Sequence, residues 1–189
     1  LRQRHNIASN INQNFTYDTA NRLTTVSGYQ PQTLTYANNG NIQSKSDLQN
    51  GATYSYANTS TGVAGSHAVT KIGSIDFQYD AIGNQTHAYD NNILTRAITY
   101  SHISKPTLID DQNDTTTAFI YNSSGERYQR TDIKKATNGQ LETTTTHYIG
   151  NIEVITLPSG VIETKRYVSN TVNVRASTPR LARHSKVRQ

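Results

Sequence analysis

An all-β fold is what the sequence predicts, laid out as a long antiparallel meander of hairpins. Three observations point there. Only 33% of the 189 residues are apolar, while threonine (27) and asparagine (19) abound, a composition that suits strands with one wet face and leaves too little for a helical core. The Ala-Glu-Lys-Leu periodicity of helices is missing throughout, so no helix is expected. Eight of the twelve tyrosines, Tyr17, Tyr36, Tyr56, Tyr79, Tyr100, Tyr121, Tyr148 and Tyr167, recur at intervals of 19, 20, 23, 21, 21, 27 and 19 residues. An interval of that size holds two short strands and two turns, which is one hairpin per tyrosine and about sixteen strands in all.

Residues 1–14 read as the lead-in of a longer chain, since the sequence opens at Leu1 and contains no methionine. The β-strip is expected over 15–172. Its first repeat is "FTYDTANRL", where Phe15 and Tyr17, two apart, share one strand face. Asp18 then caps a reversal through its side chain, and Asn21 takes the position that requires positive φ. The second repeat pairs Leu34 with Tyr36 and places Gly40 in the turn. The third pairs Tyr54 with Tyr56. In "FQYDAIGNQ" Phe77 and Tyr79 lead into Asp80 and Gly83. Ile98 and Tyr100 follow, and then "FIYNSSGER", with Phe119, Tyr121 and Gly125. A type I turn closed by a bulge asks for this chemistry: Asp or Asn at its first position and Gly or Asn at its fourth.

The pattern loosens toward the end, where Thr146 and Lys165 stand at the same-face positions before Tyr148 and Tyr167. Even so, "THYIGNIEVITLPSGVIETKRYV" is the clearest hairpin of the chain, two Ile- and Val-rich alternating runs around Pro158-Ser159-Gly160. Strand signals stop after Arg175, and residues 173–189 read as a basic, disordered tail. The tyrosines read as packing for one face of the strip, with an aromatic platform for sugars or peptides as the sharper alternative.

The net charge of +5 belongs to the tail. Seven of the 18 basic residues fall from Lys165 onward, where no acidic residue occurs, so residues 1–164 hold eleven basic against thirteen acidic side chains, a net −2. Beyond Tyr167 the tail has no aromatic residue to stack on a base, and a solvated end fits better than a nucleic-acid partner. No cofactor is expected. Absence of cysteine removes disulfides and thiolate chemistry, and no apolar run of about 18 residues offers a membrane span.

Catalytic and metal constellations are likewise missing from the pattern. His5, His67, His87, His102, His147 and His184 lack metal-ligand spacing. "DDQND" groups Asp110, Asp111 and Asp114, expected in a solvated loop, without the alternating ligands of a calcium loop or an apolar surround to raise a pKa. No nucleophile elbow, P-loop or dinucleotide fingerprint occurs. Five Asn-x-Ser/Thr sequons, at Asn14, Asn58, Asn84, Asn113 and Asn122, are what an Asn- and Thr-rich chain yields by chance.

With the column in view, "YDTANRL", "YANNGNI", "YDAIGNQ" and "YNSSGER" resemble the RHS/YD-repeat family, whose repeat is roughly Tyr-Asp-x-x-Gly-Arg/Asn-Leu. The resemblance covers residues 15 to 172, and the late hairpin looks like the segment before the conserved core of bacterial members. It implies a segment of a spiralling β-shell that encloses a C-terminal toxin, as in C components of insecticidal toxin complexes and in polymorphic toxins. It implies no catalysis by this segment. The implied partners are the rest of the parent RHS shell, its enclosed toxin domain and a toxin-complex B-type shell protein, in a secreted or cell-surface parent. The family's "DHLGS"-like core and "DPxG" self-cleavage motifs do not follow Arg175, so neither autoproteolysis nor toxicity attaches to a residue here. Teneurin-like shells suggest the alternative, a cell-surface repeat module that binds glycans or a partner protein.

Overall fold

The computed structural model describes residues 2–6, 9–57, 65–112, 115–168 and 171–177. Among these described residues, seventeen strands and one 3-10 turn, Gln49–Gly51, make up the regular structure. The strands fall in two sheets, and within each they follow chain order, the described pairs all antiparallel, so the meander is the architecture. The chain divides into two units, Leu1–Leu94 and Thr95–Gln189.

The first unit opens with a five-stranded sheet of β1 (Gln3–Asn6), β2 (Ile11–Tyr17), β3 (Leu23–Gly28), β4 (Gln32–Tyr36) and β5 (Ile42–Lys45). The 3-10 turn follows, then β6 (Tyr54–Tyr56), β7 (Val69–Ile72), β8 (Ile75–Tyr79) and β9 (Gln85–Asp90). A single bridge, Ser44 to Thr53, accompanies the connection from β5 to β6. In the second unit β10 (Ile93–Tyr100, its first two residues lying before the division), β11 (Pro106–Asp111), β12 (Thr115–Tyr121), β13 (Arg127–Lys135), β14 (Leu141–Ile149), β15 (Ile152–Thr156), β16 (Ile162–Val168) and β17 (Thr171–Ser177) pair in turn.

Two boundaries differ from the sequence reading. The lead-in 1–14 contains β1 and the first residues of β2, and β17 continues to Ser177, inside the residues read as tail. β1 lacks the signals that mark the others, and β17 runs two residues past Arg175, where those signals stop. β1, "QRHN", is polar and exposed along its whole length, and it owes its place to backbone pairing with β2, Gln3 opposite Asn14 through Asn6 opposite Ile11. β17 is held by a full ladder to β16, from Ile162 opposite Ser177 to Val168 opposite Thr171. The tail beyond it, 178–189 with His184, lies outside the described residues.

Side chains two apart share a face, and the registers show which face is covered. Val26 opposes Phe15, Ile72 opposes Tyr54, Ala88 opposes Phe77 and Ile155 opposes Thr146. Among the described residues these four and Leu34 are the buried apolar ones, and all five lie on the face of the tyrosine column. Among the described residues no side chain is fully buried. The strip therefore relies on ladders, turns and one half-covered face rather than on a closed core.

Candidate functional site

The functional candidates are the repeat positions themselves, beginning with the turns. In seven of them the first residue donates its N–H to the carbonyl four residues on, and the fourth donates back to the first: Asp18–Arg22, Ala37–Asn41, Asp80–Asn84, Ser101–Lys105, Asn122–Glu126, Ala136–Gln140 and Leu157–Val161. The fourth residue always has positive φ: Asn21 59°, Gly40 89°, Gly83 89°, Ser104 56°, Gly125 75°, Gly139 83° and Gly160 79°. Two side-chain solutions cap this one backbone. Asp18 Oδ1 accepts from the N–H groups of Ala20 and Arg22, both at 2.9 Å; Asp80 and Asn122 do the same for Ile82 and Asn84 and for Ser124 and Glu126. Where the first residue is alanine the third takes over: Asn39 Oδ1 accepts from Asn41 N–H and Asn138 Oδ1 from Gln140 N–H.

These bonds set the carboxylate chemistry. The Arg22 backbone N–H leads the groups that hold the Asp18 carboxyl below the usual carboxylate range, with the Arg22 guanidinium adding to it. For Asp80 the Asn84 side-chain amide leads, joined by backbone N–H groups of the turn.

Each column tyrosine from Tyr17 to Tyr121 marks a bulge. The register shifts at Thr16/Tyr17, Thr35/Tyr36, Ser55/Tyr56, Gln78/Tyr79, Thr99/Tyr100 and Ile120/Tyr121, so one extra residue (Thr24, Gln43, Thr70, Thr86, Thr107 or Tyr128) sits on the returning strand. The phenol then reaches back. Tyr36 donates its hydroxyl to Leu23 O at 2.8 Å, Tyr56 to Ile42 O at 2.8 Å, Tyr79 to Val69 O at 2.6 Å and Tyr121 to Pro106 O at 2.8 Å. Leu23, Ile42, Val69 and Pro106 are the residues that pair with Tyr17, Tyr36, Tyr56 and Tyr100. Each hydroxyl thus ties its hairpin to the backbone beside the preceding tyrosine. Burial pushes the Tyr79 phenol up, and for Tyr56 burial outweighs the lowering by its bond to Ile42.

A second tie runs forward from the last turn position. Arg22 lies 4.6 Å from the Tyr36 ring centroid and donates to Ala37 O at 3.2 Å. Lys105 lies 5.4 Å from the Tyr121 centroid and donates to Gly125 O. Asn41 donates Nδ2 to Ser66 O at 3.1 Å, which leaves Oδ1 to accept from His67 Nδ1 at 2.5 Å. One residue further on, Arg127 stands over Phe119 at 4.6 Å and over Tyr148 at 5.6 Å. Sequence reasoning missed Arg22, Lys105, Asn41 and Arg127, although the Arg or Asn after the positive-φ turn residue, Asn21 in "YDTANRL" and Gly40 in "YANNGNI", was the available signal. Ser101, Ser104 and Gly139 were missed as turn residues because serine and alanine replace the usual Asp and Gly.

The remaining predicted positions fall along the same face. Phe15, Leu34, Tyr54, Phe77, Ile98 and Phe119 sit two residues before their tyrosines, with Ile98 opposite Ile109 and Phe119 opposite Arg130. Tyr17 and Tyr167 are the exposed members of the column, at 41% and 40%; the others are half-buried. Asp110 and Asp111 do not lie in a loop. They end β11, their side chains point to opposite faces, and Asp111 is ion-paired with Arg96, an arrangement that separates the two carboxylates. Asp114 lies outside the described residues, as do Asn58 and Asn113. Among the described residues no three His, Asp or Glu side chains gather as metal ligands, and no helix is long and apolar enough to cross a membrane.

The two faces of β12 to β15 differ in charge. The tyrosine face carries Arg127, Arg130, Asp132, Lys134, Glu142 and Glu153, whereas the opposite face carries Ala118, Ile120, Gln129, Thr131, Thr145, His147 and Val154, with Lys135 at its end as the one formal charge.

No family model and no curated protein matches the chain. Solved structures do. A crystal structure of TcdB2-TccC3-TEV and one of TcdB2-TccC3 without its hypervariable C-terminal region each align with a TM-score of 0.54 at 10% identity, over 93% of this chain and 12% of theirs. A structure of the Photorhabdus luminescens Tc holotoxin pore aligns more loosely, with a TM-score of 0.47 at 10% identity over 93% of this chain and 12% of that one. The chain spans about an eighth of the length of these structures, and the likeness is one of fold.

Proposed function

We propose that this strip is a stretch of wall in an RHS-type shell, whose work in the parent protein is to enclose a toxin polypeptide until delivery. The observation that carries the reading is the paired tie between successive hairpins: a phenol bonded backward and a turn-exit side chain bonded forward, repeated along the strip. Such ties add hairpins one after another without a closed core, as a wall requires and a compact binding domain does not. The fold likeness to TcdB2-TccC3 structures, over nearly all of this chain and a small share of theirs, supports the same reading. The face of β12 to β15 that is almost free of charge is the one we assign to the enclosed chain. Its role is steric, and no step of catalysis is assigned to it. A glycan platform would need open phenols, yet four of the column hydroxyls are spent on backbone carbonyls.

Limited proteolysis tests this on the strip expressed in its natural reading frame with the flanking coding sequence. A shell segment gives a protected polypeptide outside the strip that becomes cleavable once denaturant opens the wall. Cleavage of all flanking chain at the rate of a free peptide, with the strip intact, would end the proposal.

A further inference from the structure

The chain holds three Asn-Gly pairs, Asn39-Gly40, Asn50-Gly51 and Asn138-Gly139. All three asparagines are exposed. All three glycines have positive φ, 89°, 80° and 83°. Their N–H groups are also equally engaged, with Ala37 O at 3.0 Å, Leu48 O at 3.0 Å and Ala136 O at 2.8 Å. What separates them is the carboxamide. Asn39 Oδ1 is held by Asn41 N–H at 3.1 Å, and Asn138 Oδ1 by Gln140 N–H at 2.9 Å while its Nδ2 donates to Gln140 Oε1 at 3.1 Å. The Asn50 carboxamide has no hydrogen-bond partner among the described residues. The frame differs as well. Asn39 and Asn138 sit in hairpin turns between paired strands, β4 with β5 and β13 with β14. Asn50, itself at φ 53°, sits in the β5–β6 connection beside one isolated bridge.

We propose that Asn50-Gly51 is a self-modifying site of this protein, a position of spontaneous deamidation, and that the turn caps shield the other two pairs. The Gly51 amide gives its proton to solvent base, and its nitrogen attacks Asn50 Cγ. The Cγ–Nδ2 bond breaks, ammonia leaves, and a succinimide ring remains. Water then opens either ring carbonyl and leaves aspartate or isoaspartate at position 50. The balance is one water taken up and one ammonia released, with no change of oxidation state. Attack requires Gly51 N–H to leave Leu48 O, so the rate follows local opening, and a short turn outside a ladder opens at less free energy than a capped hairpin. At Asn39 and Asn138 the carboxamide must also leave its cap, and it is aimed at the N–H two residues on rather than at the adjoining glycine.

The test is to incubate the whole protein at mildly alkaline pH, natively and in parallel in urea, and to map the acid products by peptide mass spectrometry. The native protein should accumulate product at position 50 severalfold faster than at 39 or 138, and in urea the three rates should converge because each pair is Asn-Gly. Equal native rates, or a lead for 39 or 138, would overturn the assignment. Asn50→Gln should remove most of the native mass gain with unchanged melting; a mass gain that persists in that variant would overturn it too.

Discussion

The phenol of Tyr79 shows what one atom contributes. Its hydroxyl donates to Val69 O at 2.6 Å from a half-buried position, so Tyr79→Phe leaves that carbonyl short of a donor and should lower stability by about 1 kcal/mol in a urea melt. A melt indistinguishable from wild type would remove the tie from the account. Tyr56 and Tyr79 also predict a pH limit. Burial raises both phenols, and a group whose folded pKa exceeds its unfolded value of about 10 contributes stability that is whole below that pH and lost as pH climbs through the folded value. The denaturant midpoint should fall there, and less steeply in Tyr79→Phe. Asp18 and Asp80 act in the opposite direction. Their lowered pKa values give stability that is present above about pH 4 and lost as pH falls through the folded values. Because Asn122 caps its turn with the same geometry, Asp80→Asn should keep the turn and lose part of the acid dependence. An unchanged acid limb in the variant would count against this role.

At the scale of the hairpin, the turn residues separate backbone cost from crowding. A Cβ on Gly83 would meet nothing within 4 Å, so Gly83→Val should cost about 1 kcal/mol or more through its φ of +89° alone. Gly28, at φ +95°, is different: a Cβ there would collide with the Asn12 carbonyl oxygen. Gly28→Ala should therefore destabilise more than Gly83→Ala in the same thermal melt, and the reverse order would contradict the crowding seen in β2–β3. The turns were legible in the sequence because Asp, Asn and Gly each mark a required backbone geometry. The bulges were not. Four of the six inserted residues are threonines, Thr24, Thr70, Thr86 and Thr107, and a threonine suits a regular strand as well as a bulged one. β1 stayed hidden for a related reason, since a strand held by its backbone alone leaves no alternation to read.

Across the molecule, the described strands pair within their sheets in chain order, and β5 and β6 fall in different sheets, so stability should behave as a sum of hairpins and their junctions. Tyr36→Phe should speed amide exchange in β3 to β5 and leave β12 to β15 unchanged; uniform loosening of the strip would show a cooperativity that these junctions do not supply. The meander and the covered face were readable from the tyrosine spacing, because a period of two places Phe15 with Tyr17, or Phe77 with Tyr79, on one side. The junctions were not, since Tyr36 OH meets Leu23 O, and Arg22 meets Tyr36, only once the bulge has set the angle between hairpins.

The backward direction of the phenol bonds has a consequence for synthesis. A ribosome releases Leu23 before Tyr36 and Ile42 before Tyr56, so each of the four bonded phenols emerges to find its acceptor already displayed on finished chain. Arg22 and Lys105, made earlier than the rings they cover, likewise stand ready for them. Asn41 waits for His67, which is 26 residues on. The strip can be laid down vectorially, hairpin upon hairpin, at the pace of translation.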